Sequence, residues 1–298
     1  MVETEEVKAI GCEFGKSVEA YEKGRQEYPH EIINYIDELT DDIVEGKDEY
    51  DYSESDVNKK LDAPFCLDIE TILDIGCGTG IATRQLAEML TNKNTELGYD
   101  NDIAIYGCDV DPRMIEAARK HNTDKITIPY ILASPQNMLF PDYMFDGVTA
   151  FSAFHWFYDN KSIEGIKRVL KLGGVFIIVH RDRNRETNGY ESEALIEEVM
   201  GTSLPDEAKM SFLNAQYHPT HIVINAGFRN TTYKKLPTSQ IHSVEEEVTR
   251  MRSMSIWSAT PDDVKQKALE IFEKRLRTSS SDGYVQRTLE WDIVSARK

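Results

Sequence analysis

The sequence predicts an α/β protein: a doubly wound, seven-stranded, mostly parallel sheet with helices on both faces and a helical lid. Three observations predict it. The run Thr71-Ile72-Leu73-Asp74-Ile75 is apolar and β-branched and stops abruptly in glycines at positions 76, 78 and 80. Behind it Ile81, Ala82, Leu86, Ala87, Met89 and Leu90 fall mostly at helical spacing. Strand, glycine turn and helix together are the opening unit of a doubly wound sheet. Further apolar runs then alternate with helical segments along the chain, as βαβ units require.

The opening unit also speaks to chemistry. Glycines there allow unusual backbone angles and let a ligand touch the main chain, while the helix start presents unpaired N–H groups. A G-x-G-x-x-G turn would suggest a dinucleotide. Here the glycines run G-x-G-x-G, and Asp74 stands two positions before the first of them. A carboxylate there would repel a pyrophosphate but not a cationic or amine-bearing ligand.

The segment Leu73-Asp74-Ile75-Gly76-Cys77-Gly78-Thr79-Gly80 resembles motif I of class I S-adenosylmethionine (SAM)-dependent methyltransferases. The resemblance implies that Asp74, Gly76, Cys77, Gly78 and Gly80 surround the methionyl part of SAM.

Ile103 to Asp109 reads as the second strand, ending in an acid able to accept hydrogen bonds from both ribose hydroxyls of an adenosine ligand. Asp109 follows Asp74 by 35 residues, and a loose polar segment at Thr91 to Asp102 absorbs the extra length. Asp109-Val110-Asp111-Pro112-Arg113-Met114 resembles the family's next motif, which implies that Val110 and Met114 flank adenine. Met114 also fits the core of the following helix. Ile126 to Leu132 is the third strand. Beyond it Ser134 and Pro135 stand where the family often has an acid for the adenine amino group, so a hydroxyl or backbone groups replace that acid.

Phe145 to Phe151 is the fourth strand, and the aromatic run Phe154-His155-Trp156-Phe157 follows its carboxyl end, where ligands of open α/β sheets lie. That phrase resembles a signature of trans-aconitate methyltransferase-like proteins. It implies that Phe151 meets the cofactor and that Phe154, His155 and Trp156 meet the acceptor. His155 is the candidate catalytic residue; whether it removes a proton or only binds the acceptor stays open. The string Tyr21-Glu22-Lys23-Gly24-Arg25-Gln26-Glu27-Tyr28-Pro29 resembles the front segment of many small-molecule methyltransferases. It implies a helical cover bringing Tyr21, Arg25 and Tyr28 to the acceptor; plain packing of an amphipathic helix on the sheet is the alternative. Pro29 suits the first turn of a second helix.

The helix near Ile163 to Leu170 closes in Gly173-Gly174, and the fifth strand is Val175 to Val179. Arg181, Arg183 and Arg185 follow on the ligand side, as carboxylate partners or as a solvated loop. Glu191 to Leu213 reads as partly helical, His221 to Gly227 as a terminal helix and Asn230 to Leu236 as the sixth strand. Ser243 to Arg277 gives two lid helices broken near Pro261, and Tyr284 to Ser295 gives a seventh, antiparallel strand. Trp257, at the break, either anchors the lid or faces the pocket. The chain thus divides into an N-terminal cover with an acidic loop, 1–65, and a methyltransferase domain, 66–298, with lid helices near 185–220 and 243–277.

Composition narrows the partners. Asp37 to Asp62 holds eleven acids against three lysines, and its Gly46 to Lys60 part reads as a solvated insert. The net charge of −18 disfavours nucleic acid. No apolar run approaches the roughly 18 residues of a membrane span, and the acidic N-terminus is unlike a signal peptide. Cys12, Cys66, Cys77 and Cys108 form no C-x-x-C pair, so no metal site is expected and a cytoplasmic setting is the simplest account. The expectation is therefore methyl transfer from SAM to a small-molecule acceptor, carboxylic acids included. A non-catalytic SAM-binding protein and, further off, a nicotinamide oxidoreductase are the alternatives. Composition says nothing of the oligomeric state.

Overall fold

The computed structural model describes residues 18–44, 71–97, 104–123, 126–187, 192–202, 218–254, 257 and 260–298. The helix α1 (Val18–Gly24) and α2 (His30–Val44) precede β1 (Thr71–Ile75), α3 (Ile81–Leu97), β2 (Ala104–Asp109), α4 (Pro112–Lys120) and β3 (Tyr130–Leu132). Then come β4 (Phe145–Phe151), α5 (Asn160–Val169), β5 (Leu170–Thr187), α6 (Ser192–Met200) and α7 (Pro219–Asn225). The chain continues with β6 (Arg229–Ser243), α8 (Val244–Arg252), α9 (Asp262–Ser279) and β7 (Tyr284–Arg297).

The seven strands form one sheet in the order β3-β2-β1-β4-β5-β7-β6. The first five are parallel to their neighbours, whereas β7 runs antiparallel between β5 and β6. Strand order reverses between β1 and β4, the switch point at which such sheets hold ligands beyond the strands' carboxyl ends.

Alternation along the strands explains the layers. Ile72 and Ile105 pack on one face with Ile32 and Ile36 of α2, and Leu86 of α3. Leu73, Phe145 and Phe176 pack on the other with Ile163 and Ile166 of α5, and Phe228. A third cluster joins α6, α8 and α9 through Leu195, Ile196, Val244, Met251, Phe272 and Leu276. Trp257 belongs to it, 9% exposed, and so anchors the lid rather than facing the cavity. The helix starts are capped by their own sequence: Asp111 accepts from the Arg113 N–H, Asp159 from the Ser162 N–H, and Ser243 and Glu246 form a reciprocal capping box.

Several boundaries differ from expectation. The segment after Leu90 is not loose: α3 runs on to Leu97. The third strand starts at Tyr130 rather than Ile126. Both β5 and β6 are much longer than the runs that announced them, because β7 pairs with them beyond the sheet edge: Arg181 lies opposite Trp291, and Gln240 opposite Arg287. Pairing satisfies the backbone of polar residues that an apolar-run criterion passes over. The three strands thus project beyond the carboxyl edge as a ribbon, and α8, entered directly from β6, is carried there with it.

Helix α1 packs on α8. Their crossing is at Gly24, where a Cβ would stand 2.5 Å from the Ser253 Cβ and 2.6 Å from the Thr249 carbonyl oxygen. Only glycine lets the two backbones approach so closely. The solvated insert, Gly46 to Lys60, and most of 201–217 lie outside the described residues.

Candidate functional site

Beyond β1, Gly76, Gly78 and Gly80 have φ of 70°, 56° and 79°, the left-handed region that glycine alone adopts freely. The turn is tied to β2, since the Gly76 and Cys77 N–H groups both donate to the Cys108 carbonyl, at 2.8 and 3.0 Å. The Gly78 N–H donates to Asp109 Oδ2 at 2.9 Å, and the Asp111 N–H to Oδ1 at 2.9 Å. Two backbone donors thus aim the Asp109 carboxylate, leaving each oxygen a further lone pair. Burial raises the Asp109 pKa, and those N–H donors oppose it.

Asp74 is 1% exposed and accepts from Thr83 Oγ1 at 2.7 Å and Thr149 Oγ1 at 3.0 Å. Burial pushes its pKa up to about 7, against the lowering effect of both hydroxyls. The buried thiols of Cys77 and Cys108 are pushed up by desolvation first, then by the nearby Asp109 and Asp74.

One cavity extends from this turn across the strand ends. Tyr21, Arg25, Tyr28, Asp74, Gly76, Cys77, Gly78, Asp109, Val110, Met114, Pro135, Phe151, His155 and Trp156 all line it. The chain between α1 and α2 is clamped to α3: the Tyr28 N–H donates to Gln85 Oε1 and Gln85 Nε2 donates to the Tyr28 carbonyl, at 2.8 and 2.9 Å. That clamp sets the Tyr28 ring 4.9 Å from Phe151 and 5.4 Å from Trp291. The Arg25 guanidinium lies over the Tyr21 ring at 5.2 Å. His155 is 5% exposed, its ring 5.5 Å from that of His180.

Three expected residues do not line the cavity. Phe154 is 1% exposed and points into the opposite core layer, against Phe157 and Phe176, because the 3-10 turn Phe154–Trp156 turns successive side chains away from one another. Ser134 gives way to its neighbours Ala133 and Pro135. Gly80 lies behind the turn, against Tyr130.

Other lining residues went unread in the sequence: His180, Gln240, Arg250, Arg287, Leu289 and Trp291. They come from the ribbon and α8, where no motif marks them. Of the three arginines after the fifth strand, Arg181 lines the cavity; the side chains of Arg183 and Arg185 lie outside the described residues.

A glycine turn with left-handed angles, a buried acid behind it and a backbone-aimed acid at the end of the next strand fit the methionyl and ribose portions of SAM. Residues 73–178 match the profile of the family described as a methyltransferase domain, so that segment is a SAM-dependent methyltransferase domain. A methyltransferase-like protein of Schizosaccharomyces pombe is 26% identical over 255 residues, 85% of this chain and 82% of its own. The malonyl-acyl-carrier-protein O-methyltransferase of Porphyromonas gingivalis is 31% identical over 109 residues, 36% of each chain. Among solved structures, a candidate type II methyltransferase from Anaeromyxobacter dehalogenans shares the fold, with a TM-score of 0.58 and 16% identity over 92% of this chain and 97% of that one. Among the described residues no helix is long and apolar enough to cross a membrane, and no cluster of His, Cys, Asp or Glu could hold a metal ion.

The raised pKa of Asp74 has a signed consequence. Folding takes the group from the ordinary carboxylate range to about 7, so its contribution to stability is fully present below about pH 4 and is lost as pH rises through 7. A cationic ligand nearby favours the ionised form. SAM affinity should therefore rise with pH across neutrality with release of a proton, a dependence that Asp74→Asn removes and neutral S-adenosylhomocysteine shows weakly. Calorimetry at pH 6 and pH 8 in buffers of different ionisation enthalpy checks this.

Proposed function

We propose that the protein methylates a small molecule bearing a carboxylic acid. The observation that carries this reading is the makeup of the cavity. Its lining combines Arg25, His155, His180, Arg181, Arg250 and Arg287 with the rings of Tyr21, Tyr28, Trp156 and Trp291. Guanidinium groups suit a carboxylate by paired hydrogen bonds, and aromatic walls suit a small planar or apolar body. The Arg25 Nε is buried with no hydrogen-bond partner among the described residues, a donor available to an acid. The similar Porphyromonas enzyme is named for methylating a malonyl group, which supports an acid acceptor.

In this reading Asp74, Gly76, Cys77, Gly78, Asp109, Val110, Met114, Pro135 and Phe151 hold the cofactor. When bound, SAM supplies a methyl group on a cationic sulfur. The protein's part is to align the acceptor oxygen with it and to exclude water. A carboxylate is already deprotonated, so no base is required, and His155 holds the acceptor rather than taking a proton. The described helices within 1–65 serve as a cover and 66–298 as the methyltransferase domain, in a cytoplasmic setting.

Screening small acids, phenols and amines with labelled SAM tests the proposal. Arg25→Ala and His155→Ala should each lower methyl transfer to the acid found by tenfold or more, about 1.5 kcal/mol for a lost charged hydrogen bond, while SAM affinity stays unchanged. Wild-type rates in both variants would place the acceptor elsewhere. SAM binding with no acceptor methylated would favour a non-catalytic SAM-binding protein.

A further inference from the structure

We propose that Ser152, at the carboxyl end of β4, is a positioning residue for methyl transfer: its hydroxyl pairs with that of Tyr28, and the pair presents a hydrogen bond that sets the line of approach of the acceptor atom. The inference goes beyond the acid-acceptor reading above, since it holds equally for an acid, a phenol or an amine.

The backbone supplies the first observation. Among the described residues, four that are not glycine have positive φ: Tyr143, Ser152, Asn230 and Asp282. Asparagine and aspartate tolerate that region, and of the four only Ser152 lines the cavity. Its φ is 49°. The Ser152 N–H still donates to the Val179 carbonyl at 2.8 Å, so β4 stays joined to β5 up to this residue. The chain then passes against the glycine turn, where a Cβ on Gly76 would stand 2.6 Å from that of Ala153. Glycine at 152 would make the same turn without strain. A strained residue that faces the cavity at the switch point of the sheet points to a use for its side chain.

The hydroxyl supplies the second. It hydrogen-bonds the Tyr28 hydroxyl. The Tyr28 backbone is fixed independently by Gln85, and its ring packs on both Phe151 and Trp291. Burial raises the Tyr28 pKa above its ordinary value, Tyr21 adds to this, and the Ser152 hydroxyl opposes it. The phenol therefore keeps its proton at neutral pH and is a donor, not a base. Each hydroxyl carries one proton. One proton is used within the pair, which leaves the other for a group in the cavity that both residues line. No bond is made or broken at either hydroxyl, and neither proton is transferred. Their part is alignment, which an in-line displacement asks of the protein above all.

The test compares Ser152→Ala, Ser152→Gly, Tyr28→Phe and the double variant of the last two. Each is assayed on the compound that the screen of acids, phenols and amines shows to be methylated, beside denaturant unfolding and calorimetry with S-adenosylhomocysteine. Each single variant should lower kcat by about tenfold, the effect of one hydrogen bond, with KM and cofactor affinity little changed. The double variant should be no slower than either single one, because the hydroxyls act as a unit. Glycine releases the backbone and alanine does not, so Ser152→Gly should unfold at higher denaturant than Ser152→Ala yet transfer no faster. Ser152→Ala should also cost less stability in the Tyr28→Phe background than in wild type, which reads the pair without cofactor or acceptor. A wild-type kcat in Ser152→Gly overturns the proposal. So do losses that multiply in the double variant, or rates that simply follow stability across the series, which would leave Ser152 as a turn residue only. If no compound is methylated, the inference falls with the methyl-transfer reading. If the compound is a phenol or an amine, the acid reading alone falls, and the same variants still decide this one.

Discussion

Replacing Asp109 with alanine is expected to weaken SAM binding by about ten- to a hundredfold or more, the equivalent of roughly 1.5–3 kcal/mol for a lost charged hydrogen bond. Two effects act together. The ribose loses its acceptor, and the N–H groups of Gly78 and Asp111 lose theirs, so the glycine turn is no longer tied to the end of β2 at that point. Asp109→Asn separates the two, because its single amide oxygen can serve one N–H but not both. Its affinity should fall between wild type and alanine. Titration calorimetry with SAM, beside thermal unfolding of each ligand-free variant, reads both effects. Unchanged affinity in the alanine variant would remove Asp109 from the cofactor site.

The second large effect is on stability. Gly80→Ala places a Cβ against the Tyr130 ring and hydroxyl at a backbone φ of 79°. The left-handed backbone costs an alanine about 1–2 kcal/mol, and overpacking adds about 1–3 kcal/mol. Denaturant unfolding should show a loss of roughly 2–5 kcal/mol, the sum of the two. A second change, Tyr130→Leu, should return the packing part and leave the backbone part. If Gly80→Ala alone costs under about 1 kcal/mol, the turn relaxes more readily than its packing implies.

The parts of this molecule that were legible in the sequence share a physical trait: local chemistry that only one geometry satisfies. Glycines at 76, 78 and 80 announce left-handed angles, and a buried apolar run before them announces a central strand. The acid at the end of the second strand follows from where that strand stops. The ribbon was not legible, because its polar residues pair across strands far apart in sequence, as Gln240 does with Arg287. An isolated arginine among alternating residues looks like a solvent-facing strand position until both neighbouring strands are known. Phe154 was misplaced for a related reason. A run of four aromatics says that some reach the crevice, but the 3-10 turn decides which, and it sends Phe154 to the core and Trp156 to the cavity. Ser134 was inferred from the position of a family acid, whereas the backbone there brings its neighbours to the wall instead.

Strand β6 has one neighbour in the sheet, β7, and β7 is made some forty residues after β6 ends. During synthesis β6 therefore leaves the ribosome with no strand to bind, since β5 is reserved for β7. The lid helices α8 and α9 emerge in the interval and must wait, folded or not, for the strand that fixes them above the sheet. Long-range pairing of this kind forms slowly and leaves an edge exposed meanwhile. The cavity is thus completed only once β7 has been made, and a nascent chain halted before Tyr284 would hold the glycine turn without the wall that faces it.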